Sequence, residues 1–352
     1  MTIEVSWFSA LCDDDYEFLG VPDPTLRSSY EHCRDIVLNA DRHGFDNILL
    51  PSGYTLGIDT VAFASAVAPT LEQIQLLVAV RCGEMWVPQM ARQLATLDQM
   101  LDGRLTINII SSDLPGQTLE SVPRYARTLE VIKVLRQLLN GQSVDFHGDF
   151  IDLALDPPNA RTVSGTAPPF YFGGVSEPAR ECAAQGADVY LMWPDTEPEV
   201  AGIIADMRRR ADHHGRSLRF GYRSHVVVRE TEAEARDAAN RLLSRLDQQE
   251  GERIRAQSLD SKSVGVQRQT ALRDLSDDGF VEPQLWTGIG RARSGCGAAI
   301  VGDPDQVLNK LRRYEEMGID AFILSGYPHL GEADLFAEYV LPQLDHAPLT
   351  SR

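Results

Sequence analysis

Apolar residues recur along this chain in two rhythms, and their alternation predicts the architecture. Short unbroken apolar runs occupy residues 4–8, 47–51, 74–81, 104–110, 170–173, 189–192, 219–228 and 321–324. Continuous runs of this kind arise in parallel strands, which are buried on both faces. Between them, apolar positions fall three and four residues apart. The first such stretch holds Leu26, Tyr30, Cys33, Ile36, Val37 and Ala40, and others cover 88–101, 120–139, 197–214, 232–250, 305–317 and 332–344. These spacings predict helices packed by one face. A signature repeats at the joints: His43-Gly44-Phe45-Asp46, Gln185-Gly186-Ala187-Asp188 and Met317-Gly318-Ile319-Asp320 each precede an apolar run. Each reads as a helix end with glycine in a left-handed cap, an apolar anchor, a polar residue and a buried strand.

Eight strands, each followed by helix, predict an α/β chain of the (β/α)8 TIM barrel type, with residues 1–352 forming one domain. An open doubly wound sheet needs no eighth strand so near the C-terminus. Two stretches break the rhythm. Residues 141–169 read as a hairpin insertion, 144–146 and 150–153 around His147-Gly148-Asp149, followed by a Pro-rich connection. Residues 251–297 are long, polar and Gly-rich near their end, and predict a lid insertion before the last strand.

Charge narrows the partners. Lys and Arg number 33 against 51 Asp and Glu, a net charge of −18, which excludes an electrostatic grip on nucleic acid or anionic lipid. Five scattered cysteines without a CxxC pair suit free thiols in a reducing compartment. The opening MTIEVSWFSA has no basic n-region, and no apolar run reaches membrane-spanning length. The expectation is a soluble cytoplasmic protein acting on a small molecule.

In a barrel of this type the working residues stand at the C-terminal ends of the strands. Along 219–228, period-two alternation puts Gly221, Arg223, His225 and Val227 on the inner face. An inward Arg and His are costly to bury unless they bind something or pair with a buried carboxylate. The eighth strand runs into Tyr327 and His329 at the same mouth, or these form a Pro-capped tight turn. Asn108 on the fourth strand is a ligand contact or a satisfied core amide. Trp193 ends the sixth strand, where its ring stacks on a planar cofactor or plugs the barrel. Gly173 to Ser176 open a helix, giving an anion seat or an ordinary turn. In the lid, Arg291 and Arg293 lie among glycines, either to meet an anion or as solvated charge. No GxGxxG follows a strand, and Walker A, HExxH and GxSxG are missing; no metal chemistry is expected.

Taken together, Tyr171-Phe172-Gly173-Gly174, Phe220-Gly221 with Arg223 and His225, Leu285-Trp286 with Gly288, Arg293-Ser294-Gly295 and Leu324-Ser325-Gly326-Tyr327-Pro328-His329-Leu330 resemble one family. The chain is similar over its whole length to the bacterial luciferase-like flavin monooxygenases, most of all to their alkanesulfonate monooxygenase branch. The resemblance implies a barrel that binds reduced FMN (FMNH2) supplied by a separate NAD(P)H-dependent FMN reductase, uses O2, and forms homodimers or homotetramers. It implies that Arg223, His225, Tyr327 and Arg293 are the catalytic and substrate residues. Asn108, Tyr125, Gly174, Ser176 and Trp193 match positions lining the flavin and its phosphate. Two positions depart from the branch: Cys12 falls in the stretch where it has a His, and Leu56 stands where it has a Cys. With Arg291 and His329 they mark the expected substrate mouth. The implied reaction converts an alkanesulfonate to an aldehyde and sulfite. The departures keep open the same chemistry on a sulfone, an N-heterocycle or a natural-product intermediate. A deazaflavin-dependent reductase or a non-catalytic flavin-binding protein are the remaining alternatives.

Overall fold

The computed structural model describes residues 2–256, 263–293 and 295–351. Eight parallel strands close into a barrel in chain order: Glu4–Phe8, Asn47–Leu50, Gln75–Arg81, Leu105–Ile110, Phe170–Phe172, Val189–Met192, Arg219–Val228 and Ala321–Ser325. The eighth returns to the first through the Glu4 to Ala321 register. These are the eight apolar runs of the sequence, matched within a residue at each end. Alternation sorts their side chains. Phe8, Leu49, Leu77, Tyr171, Val189, Ala321 and Ile323 fill the interior, whereas Val5, Trp7, Ile48, Leu50, Tyr222 and Val226 join the larger cluster with the helices. At the N-terminal end of the barrel the buried Glu4 carboxylate accepts from the Tyr171 hydroxyl at 2.8 Å and from Leu349 N–H at 3.0 Å.

Two of the three expected glycine caps form as the signature implies. Gly44 (φ 78°) closes helix Tyr30–His43, and Gly318 (φ 108°) closes Pro304–Met317. Gly186 does not. It is the last residue of helix Glu177–Gly186 and has no positive φ. A Cβ there would stand 2.9 Å from Ile132 Cγ2, so close helix packing is what this glycine serves. The expected helix at 232–250 also divides, into Glu232–Leu243 and Gln248–Ala256, because Ser244 ends the first.

The hairpin forms from Val144–His147 and Asp152–Leu155, antiparallel. The stretch expected as a lid carries its own structure: helix Val264–Arg273, strands Phe280–Glu282 and Leu285–Trp286, and a turn at Gly288–Arg291. Residues 257–262 and Ser294, within the expected lid and its arginine motif, lie outside the described residues. A further strand, Ala299–Gly302, has no counterpart in the sequence reading. It pairs in parallel with the outer half of the seventh barrel strand, Ala299 opposite His225 and Gly302 opposite Val228, and joins the lid strands to the barrel. Among the described residues, no helix is long and apolar enough to cross a membrane.

Candidate active site

The seventh and eighth strands bring the central polar groups together. Arg223 is 3% exposed, and its guanidinium lies 4.3 Å over the Phe8 ring. Nη1 donates to the Ser224 carbonyl at 2.6 Å and Nη2 to Ser325 Oγ at 2.8 Å. Its hydrogen bonds among the described residues go to carbonyls and a hydroxyl, not to a carboxylate, so the reading of Arg223 as half of a buried ion pair fails. Burial, reinforced by the neighbouring Arg293 charge, pulls its pKa below the usual arginine value. A buried cation without a counter-ion is a seat for an anion.

His225 is fully buried. Its Nδ1 lies 2.8 Å from Ser325 Oγ, and its Nε2 makes no hydrogen bond among the described residues. Burial first, then the Arg223 and Arg293 charges, hold its pKa well below the ordinary histidine value, so the ring is neutral. The Tyr327 ring packs 5.0 Å from it. Arg293 Nη1 donates to Tyr327 Oη and to Asp14 Oδ2, each at 2.6 Å, which ties the lid to the first and eighth strands' loops. Burial raises the Tyr327 phenol, against the pull of Arg293.

Over these groups opens a cavity of about 600 Å³ at the C-terminal end of the barrel. Cys12, Asp14 and Tyr16 line it from the first loop, Ser52, Tyr54 and Leu56 from the second, Arg81 from the third strand, Ile254 and Arg293 from the lid side, and Tyr327 from the eighth strand. Cys12 and Leu56 thus stand where the mouth was expected. Two other mouth residues do not. Arg291 is exposed and off the cavity wall, because the Gly288–Arg291 turn points it outward before the buried Ala292. His329 is fully buried behind the wall: its N–H donates to Asp15 Oδ1 at 3.0 Å and its ring stacks on Phe8 at 5.8 Å. Arg223 and His225 sit one layer below, under Tyr327 and Arg293. Burial, with Asp14 beside it, pushes the Cys12 thiol up to about 12, which keeps it protonated.

Sequence reasoning missed Arg81 and Asp14. Arg81 is 4% exposed, donates to the Ser52 carbonyl at 2.8 Å and pairs with Glu84 at 3.0 Å. Its signal was an arginine at the mouth end of a strand. Asp14 belongs to an Asp13–Asp15 run whose members separate in the fold: Asp13 receives Ser28 N–H at 2.9 Å, Asp15 meets His32 at 2.8 Å, and Asp14 takes Arg293. The second Asp14 oxygen, Oδ1, is buried and has no hydrogen-bond partner among the described residues.

Across the barrel, the turn after the fifth strand gathers Tyr125, Gly174 and Ser176. Gly174 has φ 155°, and a Cβ on it would meet the Ala179 Cβ at 2.6 Å and the Tyr125 hydroxyl at 3.5 Å. The Tyr190 hydroxyl donates to its carbonyl at 2.6 Å. Ser176 stands at the N-cap of helix Glu177–Gly186, yet its buried Oγ makes no hydrogen bond among the described residues. An orphaned hydroxyl beside free helix N–H groups fits a phosphate such as that of FMN. Asn108, 7% exposed, pairs in register with Tyr171 on the neighbouring strand. Trp193 lies against the insertion, where a Cβ on Gly295 would stand 3.1 Å from the indole and one on Gly265 2.8 Å from it.

Comparison with known proteins agrees with this geometry. The luciferase-like monooxygenase family model matches residues 18–321. A sulfoquinovose monooxygenase of Novosphingobium aromaticivorans is 65% identical, covering 98% of each chain. Another, of Agrobacterium fabrum, is 52% identical over 97% of this chain and 89% of its own. Among solved structures, a riboflavin lyase crystallised with modified FMN and riboflavin superposes with a TM-score of 0.79 at 16% identity, covering 97% of this chain and 91% of that one. At that identity it speaks for the fold alone. Barrel, buried arginine and histidine, and family match converge: the chain belongs to the luciferase-like monooxygenases and is a monooxygenase.

Proposed function

We propose that this chain is an FMNH2-dependent monooxygenase that releases sulfite from sulfoquinovose, a glucose with a sulfonate on C6. The observation that carries this reading is the cavity wall. Arg81 and Arg293 supply positive charge for a sulfonate, while Asp14, Ser52, Thr55, Tyr16 and Tyr54 supply hydrogen-bonding groups for a polyhydroxylated body. A simple alkanesulfonate, the substrate expected from the branch resemblance, has no hydroxyls to use them. The two relatives named for sulfoquinovose support the change from alkyl chain to sugar.

Tyr125, Gly174 and Ser176 would hold the FMN phosphate. When bound, reduced FMN supplies the two electrons that split O2 between water and the substrate carbon. The overall balance is R–CH2–SO3⁻ + FMNH2 + O2 → R–CHO + HSO3⁻ + FMN + H2O, with the C–S bond broken and C6 left as an aldehyde. Arg293, held by Asp14 and Tyr327, binds sulfonate oxygens as the lid is seated, and Arg223 balances negative charge from below. Tyr327 on the cavity wall, with His225 beneath it, would supply the proton-handling groups near the reacting atoms. Lid contacts with Trp193 exclude water. A separate NAD(P)H-dependent reductase supplies the reduced flavin.

The test is sulfite release from sulfoquinovose with FMN, a flavin reductase, NADH and air, beside a series of linear alkanesulfonates. Sulfite from the sugar, well above that from alkyl chains, supports the reading. No sulfite above a no-enzyme control, or a preference for alkyl chains, overturns it.

A further inference from the structure

Ser325 ends the eighth barrel strand and is fully buried. Its Oγ meets two groups at 2.8 Å, Arg223 Nη2 and His225 Nδ1. A guanidinium carries donors only, so the first contact occupies a lone pair on the serine oxygen. The hydroxyl has a single proton, and among the described residues His225 Nδ1 is the acceptor it meets. If Nδ1 were the donor instead, the serine proton would be stranded without an acceptor in a buried site, which is costly. The hydroxyl therefore donates to Nδ1, and the proton of the neutral ring stays on Nε2.

That Nε2 is buried and makes no full hydrogen bond among the described residues, with the Cys296 backbone close enough to the ring to hold its pKa up against burial. The ring packs on Tyr327, which lines the cavity. We propose that Ser325 is a positioning residue that locks His225 in its Nε2–H tautomer, so that His225 enters the reaction as a hydrogen-bond donor and not as the base. Its role in turnover rests on the sulfonate reading above; the lock itself does not. The base function then falls away from His225, whose donor acts from the layer beneath Tyr327 and Arg293 on the cavity wall. Ser325 also sets the spacing of the two inward groups, since one oxygen holds both Arg223 and His225.

The lock is tested by nitrogen NMR on the flavin-free chain labelled at histidine, with His225 assigned by the signal lost in His225→Gln. The expected wild-type spectrum shows Nδ1 as a bare, imine-type nitrogen and Nε2 as protonated. Ser325→Ala should mix the tautomers and lower kcat by about tenfold, the worth of one well-placed hydrogen bond, with KM little changed. Ser325→Thr keeps the hydroxyl and should restore both the spectrum and kcat. A proton on Nδ1 in the wild type overturns the proposal, as does a tautomer unchanged by Ser325→Ala. The wild-type and Ser325→Thr spectra decide the matter even where the alanine variant does not fold. Because the spectrum needs no substrate, failure of sulfoquinovose turnover and failure of the lock are separate results.

Discussion

Removing Arg293 and Asp14, singly and together, measures how firmly the lid is fastened to the barrel. The two charges meet at 2.6 Å, with side chains 18% and 16% exposed. Unit charges about 4 Å apart at an effective dielectric of ~20 attract by about 4 kcal/mol, a ceiling that desolvation lowers. Exposed pairs couple by about 0–1 kcal/mol, and breaking buried pairs costs about 3–5, so this half-sheltered pair should couple by about 2 kcal/mol. Urea unfolding of the wild type, Arg293→Ala, Asp14→Ala and the double variant gives that coupling directly as the departure from additivity. If Arg293 binds the sulfonate as proposed, Arg293→Ala should lower kcat/KM for sulfite release by about 3 kcal/mol, a loss of about 150-fold. The single losses should therefore sum to more than the loss in the double variant. Additivity within about 0.5 kcal/mol would refute the clamp, and full activity in Arg293→Ala would remove it from the substrate site.

Three further outcomes follow from buried polar groups. His225 and His329 have pKa values lowered chiefly by burial, so below the ordinary value of about 6.5 the unfolded chain binds more protons than the native one. Stability should fall as pH drops below that value, by up to about 1.4 kcal/mol per pH unit per histidine, and His225→Gln should flatten the urea midpoint's pH dependence; an unchanged slope would contradict the burial argument. Ser176→Ala should weaken FMN binding, read by flavin fluorescence, about fivefold, the worth of one hydrogen bond of about 1 kcal/mol, without changing the unfolding midpoint. Glu4→Ala strands the Tyr171 hydroxyl and Leu349 N–H at the closed end of the barrel and should cost about 3 kcal/mol in chemical unfolding, while FMN affinity stays unchanged.

The barrel was legible because covered parallel strands leave unbroken apolar runs, and every such run became a strand. What stayed hidden was set by tertiary pairing. Ala299–Gly302 is four residues long, and its pairing with the outer half of the seventh strand is a long-range event. The one sequence clue was length: the seventh strand has ten residues, where its barrel companions have three to seven. A strand that outgrows the barrel needs another partner. In the site, alternation placed Arg223 and His225 inward correctly in kind, but depth is not encoded in period two, and both lie under Tyr327. Arg291 and Arg293 share one motif, yet a tight turn separates their fates. Gly186 and Gly44 share a signature, yet one serves packing and the other chirality. Asp14 and Arg81 were passed over because a charge beside a strand end looks the same whether it faces solvent or a cavity.

The splice at the seventh strand constrains how the substrate pocket can change. His225 N–H bonds the Ala298 carbonyl at 3.0 Å, and Cys296 Sγ donates to the Arg223 carbonyl at 3.4 Å. The two inward groups are thus held from the barrel side by Ser325 and from the insertion side by the Cys296 thiol and the Ala298 carbonyl. Shortening or lengthening the insertion between Gly297 and Ala299 would slip that pairing by one residue and turn the neighbouring side chains to the opposite face. The constraint reaches upstream as well, because Leu285 and Trp286 pair with Ile300 and Ala299 and the Gly290 N–H bonds the Gly297 carbonyl at 2.8 Å. A transplant of specificity between relatives should therefore move the insertion together with its stitched strand.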